Sequence, residues 1–351
     1  MLNRIQEILV TNLVVIVSVG AVGRAQEDPK FIQAKEADAI QMHVEKAYAL
    51  AGNDPNLSLI LHLQCSPKQL TPAITPEYTQ NRNAMTPTKA FDQLYFLGMP
   101  WVSSWALDTS EGIILFDTLD NPEEAERVIV GGMKTVGLDP TRIKYIVLTH
   151  GHPDHFGGAT YLVAKYHPHV LLSAVDWDFI HRPLQPNQQP PNPDLRPAKD
   201  MDVTDGQKLT LGKTTVTFYI SPGHTPATLS AIFPVTEHGK SHVVGFMGGV
   251  GIPTNLDPSA ANGGILQYAR SVERFMKIAE EQKVDVVVSS HPFADNTIEK
   301  LPRLNHFTAR EDLNPYVVGS KGALAYYGVF DECTQAWAER AKAKTAAPAE
   351  P

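Results

Sequence analysis

The chain has 351 residues, 43% of them hydrophobic and 19% charged, which is enough apolar material for one large core or two modest ones. A formal net charge of −8 argues against a nucleic-acid-binding protein, which would carry a basic face. Two cysteines, at no metal-binding spacing, exclude a disulfide-rich scaffold and a cysteine-based zinc site.

The first 25 residues differ in kind from the rest. Met1 to Arg4 is a short basic start, Ile8 to Gly23 is almost uncharged and rich in Val, Leu and Ile, and Gly23-Arg24-Ala25 ends in small residues. This reads as a cleavable secretory signal over residues 1–25, ending at Ala25. An uncleaved anchor is the alternative, since the run is near the lower length limit for crossing a bilayer. The expectation is a periplasmic or secreted protein, free of the membrane after cleavage. Export would put Cys65 and Cys333 in an oxidising compartment, where they could pair; two separate buried thiols fit the sequence equally well.

Residues 26–90 read as an N-terminal extension. Ala34 to Ala51 has helical composition, and Ser66 to Lys89, rich in Pro, Thr and Asn, reads as an irregular wrap. From Phe91 the pattern is crisper: Leu94–Leu97, Ser104–Leu107 and Gly112–Phe116 are short strand-like runs between turn residues. Asn121-Pro-Glu-Glu124 opens a helix to Val136, with proline and acids in its first turn. Residues 142–149 form a buried strand, residues 157–166 a glycine-rich entry into a helix, and His169–Ser173 another strand. Residues 182–200 hold six prolines and read as a long loop, which inside a compact domain is more often functional than idle. Strand patterning returns at Thr214–Ile220, Leu229–Pro234 and His242–Phe246. An amphipathic helix at Ile265–Gln282, a buried strand at Val284–Ser289 and a closing helix at Ser320–Lys342 follow. No linker divides residues 91–340, which read as one α/β domain of two sheets packed face to face with helices outside. Residues 341–351 read as a disordered tail.

The densest chemistry lies at residues 149–158, Thr-His-Gly-His-Pro-Asp-His-Phe-Gly-Gly. Four side chains there, His150, His152, Asp154 and His155, are of the types that borderline cations such as zinc prefer. They sit on a strand-to-helix turn and cannot all serve a packed core. In an extended segment His150 and His152 point the same way and can share one ion, leaving Asp154 and His155 for a second. Each ion then lacks a ligand. Two later histidines, His224 in Pro-Gly-His-Thr-Pro and His291 in Val-Val-Val-Ser-Ser-His-Pro, stand where strand-like runs give way to turns and could converge on the same sheet edge. His167 and His169 form a second His-x-His without a following acid, a far weaker candidate. His43, His62, His181, His238, His242 and His306 read as surface or structural residues.

This set resembles the metallo-β-lactamase superfamily from about Leu94 to Cys333. The resemblance implies a four-layer αβ/βα sandwich, one zinc on His150, His152 and His224, and a second on Asp154, His155 and His291. It also implies that Asp117, ending Ile-Ile-Leu-Phe-Asp, orients a ligand imidazole through its other ring nitrogen. Many hydrolases of the superfamily carry a Gly-Asp whose carboxylate bridges both metals; here the corresponding run, Val244 to Val250, has no acid. A complete His/Asp set without a bridging acid or a ligand cysteine resembles subclass B3 of the metallo-β-lactamases.

The chemistry such a site supports is hydrolysis at a polarised carbonyl, with two zincs lowering the pKa of a shared water towards about 7. Asp154 would bind the second zinc and position the resulting hydroxide. The expected activity is opening of a β-lactam or a similar cyclic amide, and hence antibiotic resistance. The alternative is a zinc hydrolase of lactones, thioesters or other small esters; a metal-keeping binding protein and a nuclease fit less well. The expected partner is a small-molecule substrate and not nucleic acid. Met99, Trp101 and Trp105 are candidates for the pocket entrance, with a core role as the alternative.

Overall fold

Seven strands of one sheet lie in chain order: β1 (Thr88–Lys89), β2 (Leu94–Gly98), β3 (Ser103–Thr109), β4 (Gly112–Phe116), β5 (Ile143–Val147), β6 (His169–Ser173) and β7 (Met201–Val203). The first three pairings are antiparallel and the last three parallel. A second sheet has the order β12-β11-β10-β9-β8, built from β8 (Lys208–Leu211), β9 (Thr214–Ile220), β10 (Leu229–Glu237), β11 (Lys240–Met247) and β12 (Val286–Ser289). Only β11 and β12 run parallel there. The computed structural model describes residues 38–65, 80–182, 195–253, 263–306 and 314–346. The expected signal at 1–25 and most of the proline-rich stretch (183–194) lie outside those residues.

The period of two along each strand sorts side chains into layers. Ile114 and Phe116 of β4 face the second sheet, while Ile113 and Leu115 face the helices behind. Trp105 and Leu107 of β3, Phe218 of β9, Phe233 of β10 and Val286 and Val288 of β12 join the inter-sheet core. Phe116 and Phe233 stack across it at 5.2 Å. Strands buried on both faces read as nearly continuous apolar runs, which is why β2, β4 and β12 are so plain in the sequence. The two outer faces are covered by helices, giving the αβ/βα sandwich.

On the first sheet lie a helical run at 122–135 (α3), α4 (Pro153–Phe156), α5 (Ala159–Tyr166) and α6 (Ala174–His181). The α3 run starts as expected: the Asn121 side chain accepts from Glu124 N, with Pro122 following the cap. Its middle, Ala125–Val130, is π-helical. On the second sheet lie α1 (Asp38–Ala51), α2 (Pro55–Cys65), α7 (Gly264–Glu281) and α9 (Gly319–Ala346); α8 (Thr297–His306) lies between β12 and α9 in the chain. No described helix is long and apolar enough to cross a membrane.

Several boundaries differ from the sequence reading. The closing helix runs to Ala346, so the expected tail from residue 341 begins as helix; Ala and Lys dominate there and both favour helix. Short edge strands β7 and β8, and helices α6 and α8, carry no expectation from the pattern. Cys65 and Cys333 are bonded, tying the end of α2 to α9. Met99 and Trp105 are core residues, fully buried, and the Trp105 indole donates to the Ser289 carbonyl. Of the three entrance candidates only Trp101 reaches the site. His167 takes a left-handed conformation capping α5, and His169 pairs with Asp200 on the surface.

Candidate metal centre

Every residue of the expected set sits just past the C-terminal end of a strand. Asp117 follows β4, the His150–His155 turn follows β5, His224 follows β9 and His291 follows β12. The ends of these four strands, two from each sheet, place the turns at one edge of the sandwich. The turn after the motif is forced tight. A Cβ on Gly157 would fall 1.9 Å from the Asp120 carbonyl oxygen, so only glycine lets the start of α5 lie against the 118–121 segment.

The structure brings the six side chains into two groups of three. In the first, His150, His152 and His224 (site one), and in the second, Asp154, His155 and His291 (site two), the donor atoms of each group lie within 4.8 Å of one another. His150 Nε2 faces His152 Nδ1 at 3.1 Å, and the rings of His150 and His224 are 4.7 Å apart. In site two, Asp154 Oδ2 lies 3.3 Å from His155 Nε2 and 3.8 Å from His291 Nε2. The sites adjoin: the His150 and His155 rings are 4.0 Å apart.

Partners behind the rings decide which nitrogen is bare. His224 Nδ1 donates to the Gly251 carbonyl (2.7 Å) and His291 Nδ1 to the Trp101 carbonyl (2.6 Å). A carbonyl only accepts, so both Nδ1 atoms carry the proton and both Nε2 atoms present a lone pair. Asp117, fully buried, accepts from Thr149 N (2.7 Å), Thr149 Oγ1 (2.8 Å) and His155 Nδ1 (2.7 Å). The Thr149 proton is thereby committed, and its oxygen accepts from His150 Nδ1 at 3.0 Å. One carboxylate therefore orients an imidazole in each site, directly in one and through a hydroxyl in the other. Asp117 holds φ at 58°, a left-handed conformation that a non-glycine residue keeps only under constraint.

The donor set fits a pair of borderline cations. His155 Nε2 is buried without a hydrogen bond, an arrangement that is costly unless something else meets it. Burial, with the neighbouring imidazoles adding to it, drives His150 well below the ordinary histidine range, His152 to about 4 and His224 to about 3. His291 is lowered too, mainly by burial. Neutral imidazole is the form that ligates metal. Burial opposes charge on Asp154 as well, but His155 and His291 overcome it and hold the carboxylate well below its usual range. His155 goes the other way, to about 10: burial lowers it, and Asp154 and Asp117 together outweigh that.

Further residues complete the site, and of these only Trp101 carried an expectation from the sequence. The run after β11 has no carboxylate, and a Cβ on Gly249 would fall 2.6 Å from His224 Cβ, so a bulkier residue there would displace His224. Instead the run supplies the Gly251 carbonyl that fixes His224. Trp101 lies 4.8 Å and Phe293 5.1 Å from the His291 ring, forming an apolar wall at site two. On the other side Phe179 stands 6.3 Å from His152, and the Arg182 guanidinium lies over its face at 4.1 Å. Asp176, fully buried in α6, touches the turns of both His150 and His224. An acid in the apolar stretch Ala-Val-Asp-Trp-Asp-Phe-Ile was the one signal of it in the sequence.

A family model described as the metallo-beta-lactamase superfamily matches residues 102–236. Among curated proteins, an N-acyl homoserine lactonase, AttM, of Azorhizobium caulinodans is 25% identical over 191 residues, spanning 49% of this chain and 67% of the relative. The fold is similar to that of BJP-1, a subclass B3 metallo-beta-lactamase of Bradyrhizobium japonicum, at TM-score 0.57 and 24% identity over 70% of this chain and 89% of that one. A metallo-beta-lactamase of Cronobacter sakazakii with an HARLDQ motif aligns at TM-score 0.63 and 22% identity, over 78% of this chain and 94% of the other. The family model thus matches the stretch from β3 to β10, and the sandwich is similar in fold to that of metallo-beta-lactamases.

Proposed function

We propose that this protein is an exported, zinc-dependent hydrolase that opens a β-lactam or similar cyclic amide. The observation that carries the reading is the pair of adjoining trios, each with its donor atoms within 4.8 Å of one another. Zinc, when bound by His150, His152 and His224 and by Asp154, His155 and His291, supplies Lewis acidity for the carbonyl and acidifies water towards a pKa of about 7. Among the six, Asp154 is the one carboxylate, and Oδ2, between two imidazoles, is placed to orient the attacking water by accepting its hydrogen bond. Trp101 and Phe293 offer an apolar surface for the substrate body. Arg182, an exposed cation held on the Phe179 ring beside His152, offers a partner for a substrate carboxylate. The Cys65–Cys333 disulfide supports an oxidising compartment and so the periplasmic or secreted location.

One observation favours a second reading on the same site: a curated relative, 25% identical, is an N-acyl homoserine lactonase. A lactone also offers a cyclic carbonyl to a metal-activated water, with an alkoxide in place of the amide nitrogen as leaving group. The test is metal analysis of the purified chain paired with hydrolysis assays on penicillins, cephalosporins, carbapenems, N-acyl homoserine lactones and thioesters. The proposal expects two zincs per chain and turnover of at least one β-lactam. Turnover of lactones alone would replace the substrate, and absence of bound metal would end the hydrolase reading.

A further inference from the structure

Site one draws its ligands from two turns far apart in the chain, one carrying His150 and His152, the other His224. Between these turns stands the carboxylate of Asp176. Oδ2 accepts from Gly151 N (2.9 Å), between the two histidines, and from Thr225 Oγ1 (2.6 Å), next to His224. Oδ1 accepts from Ala227 N (2.8 Å), further along the His224 turn. The side chain is wholly buried, and among the described residues no Lys, Arg or His pairs with it. Its charge is met by two amides and a hydroxyl alone, and burial raises its pKa above the ordinary carboxylate value despite them. A buried unpaired carboxylate is a poor stabiliser; an apolar residue of similar size would serve the core better. It is, however, an effective spacer, because three converging donors fix both turns to one rigid group.

The fixing is mutual. Asp176 sits in the first turn of α6, whose N-cap Ser173 accepts from Asp176 N, so the carboxylate is anchored to the end of β6. The Thr225 hydroxyl also meets Thr228 Oγ1 at 2.7 Å, and Thr225 N donates to the same oxygen. One further hydrogen bond between the two turns is backbone, Leu229 N to the Thr149 carbonyl at 2.7 Å. Neither oxygen of Asp176 reaches the Asp154–His155–His291 trio, whose partners are Asp117 and the Trp101 carbonyl.

We infer that Asp176 is the positioning residue of site one: it sets the gap between the His150–His152 turn and the His224 turn, and so the cation affinity of that site alone. The inference rests on the metal reading above and concerns an acid outside the ligand set. Outer partners of ligand groups typically change metal affinity by about 10–100-fold. Asp176→Asn keeps the shape but leaves one oxygen for three donors, so at least one turn is released.

The experiment is titration of the full-length metal-free chain with Co²⁺, followed by its visible absorption, and with Zn²⁺ in competition with a chromophoric chelator. His291→Ala isolates site one and His224→Ala isolates site two. In the first background D176N is expected to weaken binding by about 10–100-fold and alter the cobalt spectrum; in the second, binding stays within about twofold. Thr225→Val, which removes one of the three donors, should weaken site one less and leave site two alone. If D176N does not fold, Thr225→Val decides. Equal loss at both sites would mean a general structural role and overturn the inference, as would unchanged binding at site one. A wild-type chain that takes up no metal would overturn the hydrolase reading itself, whereas two bound ions with an indifferent D176N would overturn this inference only.

Discussion

At the scale of single residues, the site works by deciding which nitrogen of each ring is bare. Carbonyl oxygens of Trp101 and Gly251 do this for His291 and His224, and Asp117 for His155 and, through Thr149, for His150. Asp117→Asn should therefore disturb both sites, because an amide cannot accept all three hydrogen bonds. We expect cation affinity to fall by about 10–100-fold at site two, with a smaller loss at site one, in the same cobalt titration. Arg182 makes a different kind of contribution. Arg182→Ala should raise KM for carboxylate-bearing substrates by about tenfold, on the order of 1.4 kcal/mol, with kcat nearly unchanged, as befits uniform binding. Steady-state kinetics with a substrate and its methyl ester would check it, the ester showing no dependence on Arg182. Four of the six candidate residues were legible because His and Asp cluster so rarely at this density, and His224 and His291 because each stands where a strand-like run gives way to a turn. Their carbonyl partners were not, since every residue owns a carbonyl and only the chain path says which one faces an imidazole.

At the scale of elements, strands buried on both faces announced themselves and edge elements did not. The runs at β2, β4, β5 and β12 have apolar or β-branched residues at nearly every position. By contrast β8, Lys-Leu-Thr-Leu, is a polar edge, and α8 contains Pro302, a residue that ordinarily ends a helix. Helix α6 was silent because Trp177 and Ile180 are buried while Asp176 is buried with them, which erases the amphipathic pattern. The closing helix α9 offers a test of its own. Asp331 is 8% exposed and keeps a hydrogen bond from Gln335, yet burial, with Glu332 and Glu273 adding to it, raises its pKa to about 6. A carboxyl whose folded pKa exceeds its unfolded value near 3.8 binds its proton more tightly when folded. Its contribution is thus fully present below about pH 4 and is lost as pH rises through about 6. Asp331→Asn should be more stable than wild type by about 1–2 kcal/mol at pH 7, and the difference should vanish below about pH 4. Thermal melts across that range measure it.

At the scale of the whole molecule, the N-terminal helices are clamped to the last one. Residues Leu57, Ile60 and Leu61 of α2 share a core with Val329, Phe330 and Trp337 of α9, and the Trp337 indole donates to the Gln64 carbonyl. The Cys65–Cys333 bond closes a sequence separation of 268 residues. Chain-entropy reasoning assigns such a loop about 5 kcal/mol, with measured disulfides usually somewhat lower. Cys333→Ser should therefore lower Tm by about 5–10 °C, with metal stoichiometry unchanged because the bond lies among the helices and not at the strand-end site. Calorimetry with and without reductant checks both halves; loss of metal on reduction would contradict the separation.

By itself, the sequence determined the two-sheet α/β architecture and singled out six candidate ligands, because alternation, rare residue types and strand-end positions are local properties that survive without coordinates. It left Cys65 and Cys333 open, since two cysteines so distant in sequence meet only if the helices bearing them pack together. Tertiary structure alone decided that pairing, the tautomers of His224 and His291, the Trp101–Phe293 wall and the place of Asp176 between two turns. Each of these depends on groups distant in sequence coming within a few ångströms, and the folded path of the chain is what brings them there.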